Sequence, residues 1–117
     1  MSDAPGRPKQ ARTAAREGEG FTACAYIIAE VTVTDEEQMK RYREWSTRAM
    51  QEFGAEVVVR GGRVEPLEGG WHPQRVVVLR FKDIATAQAY YASETYTHAR
   101  QLREGAGSIR MFAVEGV

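Results

Sequence analysis

The side chains in this sequence that could do chemistry gather around two glycine breaks. Arg60 stands directly before Gly61-Gly62 in "VVVRGG", and Trp71 and His72 follow Gly69-Gly70 in "LEGGWHP". Paired glycines beside a β-branched run mark bulges, or places where a ligand or a second backbone comes close. The planar donor fork of Arg60 suits a carboxylate or enolate oxygen. Gly61-Gly62 is expected to turn Arg60 into a cleft, and Gly69-Gly70 to let Trp71 fold back over the same region. Glu30 lies inside the apolar run "CAYIIAEVTV", where burying a lone carboxylate is costly. A partner is therefore expected among Arg60, Arg80 and Arg110. Two readings of Glu30 stand side by side: a general base with a tuned pKa, or one half of a structural ion pair.

His72 and His98 are the proton carriers that titrate near neutral pH. His72 is equally read as a solvated loop residue, and the fate of His98 depends on which side of its helix turns inward. Tyr42, Tyr91, Tyr96 and Trp71 could shape an apolar pocket with a few converging polar groups, the usual form of a small-molecule site. The candidate catalytic set is thus Arg60, Glu30 and His72, and the candidate binding set Trp71, Tyr42, Tyr91, Tyr96 and His98.

Much other chemistry is disfavoured. Two histidines and one cysteine without ligand spacing argue against a structural zinc site. One histidine suffices for an axial haem ligand, so haem stays open, although the expectation is no metal and no cofactor. Cys24 has no neighbouring base and reads as a small core residue. "RGGR" lacks the Gly-Lys-Ser/Thr ending of a phosphate loop, and neither a dinucleotide fingerprint nor a Ser-His-Asp or paired-carboxylate arrangement is present. With 16 basic and 16 acidic residues the net charge is zero, so no field draws the chain to nucleic acid or an anionic membrane. A lone cysteine and the lack of a signal-peptide pattern or long apolar run make the cytoplasm the expected location.

The 117-residue chain is long enough for one domain. Residues 1–20 have little to bury and are expected to form a disordered tail, leaving 21–117 as the folded domain. Cys24 to Val33 reads as a strand. Thr34 is then expected to cap a helix, with Glu37 closing a capping box. Met39, Tyr42, Trp45, Ala49 and Phe53 form one apolar stripe along it, and Gly54 supplies the left-handed C-terminal residue. Val57 to Arg60 and Arg75 to Phe81 are further strands. Asp83 caps a second helix to about Ala92, Ser93 caps a short third one, and "SIRMFAVEG" is the last strand. The order is β-α-β-β-α-β, the ferredoxin-like split βαβ with a four-stranded antiparallel sheet. Both faces of the strands carry apolar side chains, yet the helices cover one face only. The other would be an exposed apolar patch, and a second copy packed sheet to sheet resolves this.

The segments "AYIIAEVTVTD", "VVVRGG", "LEGGWHPQRVVVLRF", "YYASETY" and "FAVEGV" together resemble family 1330 of the domains of unknown function, over about Ala25 to Val117. That resemblance implies a ferredoxin-like α+β protomer whose homodimer forms a dimeric α+β barrel, with a small cleft in each protomer. No settled activity comes with the family. The wider superfamily contains cofactor-free monooxygenases, polyketide cyclases, lactone isomerases and haem-handling proteins. It implies for this chain a cofactor-independent small-molecule enzyme performing proton transfer, isomerisation or cyclisation in a semi-buried cleft, on a small anionic or aromatic ligand. The alternatives are a ligand-binding or stress-related homodimer without turnover, and a structural dimer docked to a partner through its tail.

Overall fold

A computed structural model describes residues 23–117; the expected tail, 1–20, lies outside them. Its strands and helices follow the order β1 (Ala25–Val33), α1 (Glu36–Glu52), β2 (Glu56–Arg60), β3 (Arg75–Phe81), α2 (Ile84–Ala92), α3 (Glu94–Leu102) and β4 (Gly107–Glu115). The strands make one antiparallel sheet in the order β2-β3-β1-β4. This is the βαββαβ ferredoxin-like arrangement.

The alternation of β1 decides which face meets the helices. Ala25, Ile27, Ala29 and Val31 are buried, while Tyr26, Ile28, Glu30 and Thr32 between them are only half-covered. Ala25 and Ile27 join Leu79, Phe81, Ala87, Tyr90, Tyr96 and Ala99 in the core between sheet and helices, while Ala29 and Val31 pack with Met39 and Ala106. Opposite that core, the even-numbered residues of β1, β3 and β4 share an open face, because Ile28 pairs with Val78 and Phe112, and Tyr26 with Arg80 and Val114. On it Phe112 is 58% and Val114 41% exposed, an apolar face that no helix among the described residues covers.

The caps explain where the helices begin. Asp35, not Thr34, caps α1, its carboxylate accepting the Gln38 N–H at 3.1 Å. The physical reason lies at the end of β1, where the N–H groups of Thr34 and Asp35 both donate to the Ala106 carbonyl. That contact delays the turn by one residue and leaves the extended Asp35 to face the first turn. Gln38 then reaches out of the helix to the Leu102 and Glu104 carbonyls, at 2.9 and 2.6 Å, tying the start of α1 to the end of α3. Asp83 and Ser93 cap α2 and α3 as expected, accepting from Thr86 and Tyr96 N–H. Gly54 takes φ +67° just after α1, a conformation that costs glycine little.

Candidate functional site

A cavity of about 210 Å³ lies between α1 and the covered face of the sheet. Its walls are mostly apolar: Ile27, Ala29 and Val31 from β1, Val77 and Leu79 from β3, and Met39 and Met50 from α1. Polar character comes from Arg43, Arg60 and Arg75, from Ser46 and Thr47, and from Tyr42, Tyr90 and Tyr96. Arg60 is exposed and Arg75 half-buried, so these guanidinium groups form the solvent-facing rim, whereas Tyr96 is fully buried within.

A single extra residue puts Arg60 on this rim. Val57 pairs with Leu79 but Val59 pairs with Val78, so Val58 is a bulge with no partner. Side-chain parity reverses across a one-residue bulge. Arg60 consequently faces Val77 and the helices rather than Val76 and the open side. The bulge, and not the following glycines, directs Arg60. Gly61 has a different task. Its φ is +66°, its N–H still bonds to the Val76 carbonyl at 2.9 Å, and a Cβ there would lie 2.6 Å from the Arg75 guanidinium carbon. The missing side chain is what lets Arg75 lie across the chain beside Arg60.

Arg43 is paired with Glu36. Among the described residues, neither Arg60 nor Arg75 is paired with a carboxylate. Sequence reasoning did not single out Arg75, although a signal was there: it shares the parity of Val77, Leu79 and Phe81, the residues of β3 expected on one face.

Within the cavity the hydroxyls of Tyr42 and Tyr96 are 2.7 Å apart, their rings edge to face. Burial raises the Tyr42 phenol far above its ordinary range, and proximity to Tyr96 adds to it. Burial also raises Tyr90. These phenols therefore remain protonated and serve as hydrogen-bond donors rather than bases. The Arg103 guanidinium stacks 5.3 Å from the centre of the Tyr42 ring, and that of Arg100 4.4 Å from the Tyr91 ring.

The structure divides the other candidate residues from this cavity. Glu30 is on the open face, where its register neighbour Arg110 donates to it at 2.6 Å and the Trp71 indole N–H at 3.4 Å. The Arg110 hydrogen bond, partly opposed by desolvation and aided by Trp71, holds the Glu30 carboxyl below the usual range. Trp71 thus folds back, as its glycines allow, but over the open face; it is not a lid on the cavity. His72 is exposed. His98 packs its ring 4.4 Å from Trp45 on the outside of the α1–α3 pair. Tyr91 lines a separate shallow groove with Ala87, Gln88, Met111 and Phe112. Of the eight sequence candidates, only Arg60, Tyr42 and Tyr96 meet in the cavity. Among the described residues, no cluster of three or more His, Cys, Asp or Glu is close enough to hold a metal ion, and no helix is long and apolar enough to cross a membrane.

The profile of the family described as Domain of unknown function (DUF1330) matches residues 24–117. The chain belongs to that family. Among curated proteins, none matches this DUF1330 chain. Solved structures resemble it at low identity. A protein of unknown function from Rhodopseudomonas palustris is 17% identical, with a TM-score of 0.68 over 83% of this chain and 85% of that one. A dimeric protein of unknown function with a ferredoxin-like fold, from Bacteroides fragilis, is 14% identical, with a TM-score of 0.55 over 82% and 99%. A Caulobacter crescentus protein, for which antibiotic biosynthesis monooxygenase activity is proposed, is 9% identical, with a TM-score of 0.52 over 89% and 99%. These likenesses show that the DUF1330 domain shares the ferredoxin-like fold, and carry no chemistry with them.

Proposed function

We propose that this DUF1330 protein is a homodimer that binds a small, largely apolar anion in the cavity beneath α1. The observation that carries this reading is the pair Arg60 and Arg75 on the rim of an otherwise apolar space. Two guanidinium groups at a solvent-facing rim, with no carboxylate partner among the described residues, suit one planar anion such as a carboxylate. The volume supports a small ligand, since an apolar cavity of about 150 Å³ takes up benzene. A one-ring or short-chain acid is the class that fits.

Catalysis in this reading is the cofactor-independent conversion of that ligand by proton transfer, isomerisation or cyclisation. The polar groups on the cavity are donors: arginines, hydroxyls and protonated phenols. They favour negative charge developing on a ligand oxygen, the electrostatic form of catalysis. Glu30 and the two histidines are not part of the cavity lining, so the binding role has the stronger support.

The homodimer rests on the open face. Phe112 and Val114 are exposed there beside the Glu30–Arg110 pair, and the Bacteroides fragilis protein of the same fold is dimeric. A second copy laid on this face would cover the apolar side chains and enclose the ion pair. The unpaired Cys24 suits a reducing compartment such as the cytoplasm.

Calorimetric titration with phenylacetate tests the ligand class. Measurable binding is expected for the native chain, with a loss of about tenfold or more when Arg60 and Arg75 are both replaced by Met. Equal affinity in native and variant protein would refute the anion site. Analytical ultracentrifugation tests the assembly, and a monomer at micromolar concentration would refute it.

A further inference from the structure

The Tyr42–Tyr96 contact leaves one proton unassigned. Two phenols bring two donatable hydrogens, and the bond between them uses one. Among the described residues neither hydroxyl has a second partner. Tyr96 is fully buried and both residues line the cavity, so the spare donor has to be met by something that enters that space. Buried phenols rarely leave a hydroxyl unmatched. The rim and the interior therefore ask for different things of one occupant.

We infer that the ligand of this cavity has two oxygen functions: a carboxylate held at the Arg60–Arg75 rim, and a hydroxyl or carbonyl oxygen that accepts the spare hydrogen of the Tyr42–Tyr96 pair. A hydroxy or keto acid with an apolar body is the chemical class, a phenolic acid being its simplest aromatic form. This rests on the anion reading above and sharpens it. An acid without the second oxygen would strip water from the phenol pair and return nothing, whereas one that has it satisfies a donor already fixed by packing. Burial supports the assignment, because it keeps the Tyr42 phenol protonated and hence able to donate.

The test compares ring acids of matched size on the full chain by calorimetry: 4-methylphenylacetate, 4-hydroxyphenylacetate and 3-hydroxyphenylacetate. One hydroxy acid is expected to bind about tenfold more tightly than the methyl acid. Replacing Tyr42 and Tyr96 together by Phe is expected to erase that preference, while the Arg60, Arg75 double Met variant weakens all three acids alike. Tyr42→Phe alone leaves the buried Tyr96 with its one hydrogen and no phenol to receive it, so it is expected to keep the preference; where the double Phe variant does not fold, a preference lost in this single variant would overturn the assignment of the donor. If the methyl and hydroxy acids bind equally, or the preference survives loss of both phenols, the second oxygen is wrong and the anion site stands. If none of the acids binds, the anion site falls and this inference with it.

Discussion

The two faces of the sheet use the same kind of strand for opposite purposes. On the covered face, β1 and β3 present small and branched apolar residues to three helices, and a cavity remains with two guanidinium groups at its edge. On the open face, the same strands present Ile28, Val76 and Val78 around an ion pair, and no helix among the described residues covers them. Charge is treated differently as well. Glu30 is matched by Arg110 and Trp71, whereas Arg60 and Arg75 have no carboxylate among the described residues. A matched carboxylate reads as a structural device, and the unmatched cations beside an apolar space are the basis of the anion site proposed above. Perturbed groups alone would have misled here, since the pKa of Glu30 is shifted by an ion pair away from the cavity.

Five changes test that contrast. The largest effect is expected from Phe112→Asp, which places a charge on the open face beside Ile28, on the edge strand β4. Sedimentation should show loss of the dimer, while the cavity retains its lining. An unchanged dimer would mean that the copies meet elsewhere.

Next is insertion of one alanine between Val59 and Arg60. The added residue takes the place opposite Val77 and moves Arg60 opposite Val76, on the open face, so acid binding measured by calorimetry should weaken by about tenfold or more. The dimer should be less affected than by the Phe112 change. Gly61→Val acts on the same rim more gently. It forces a branched side chain into a positive φ and into the Arg75 guanidinium, and should lower both acid affinity and melting temperature. Retained affinity would separate Arg75 from the site.

The pH profile probes the open face. The Glu30 carboxyl titrates below its unfolded value, so its contribution to stability is present above the unfolded pKa and lost as pH falls through the folded one. Melting temperature should therefore drop on acidification below about pH 4.5, and Glu30→Gln should flatten that part of the profile. Acid binding above that range should be unchanged, because Glu30 lies across the sheet from the cavity. The smallest effect is expected from Ser93→Ala. It removes the α3 cap, costs about 1 kcal/mol in chemical denaturation, and leaves both faces as they are.

The fold was legible because its signals are local. The runs "RVVVLRF" and "AYIIAEVTV" alternate side chains over a whole strand, and Asp83 and Ser93 each precede a helical stretch. The cap at Asp35 was displaced by one residue because the deciding contact, the Ala106 carbonyl, is some seventy residues away in sequence. The stripe of α1 was also only partly legible. Met39 and Ala49 are buried as their spacing requires, but Ser46 is buried too, while Trp45 turns toward His98.

The candidate site was legible as a list of residue types and not as a place. The sequence alone determined the strands and helices, the two apolar faces, and the fact that Arg60 stands beside paired glycines, because each follows from neighbours within a few positions. Only the tertiary structure decided that Val58 bulges and so reverses Arg60, that Arg75 joins it, and that Glu30 and Trp71 lie on the far side. The physical reason is parity: one unpaired residue in a strand exchanges its two faces, and whether a residue goes unpaired is settled by the partner strand.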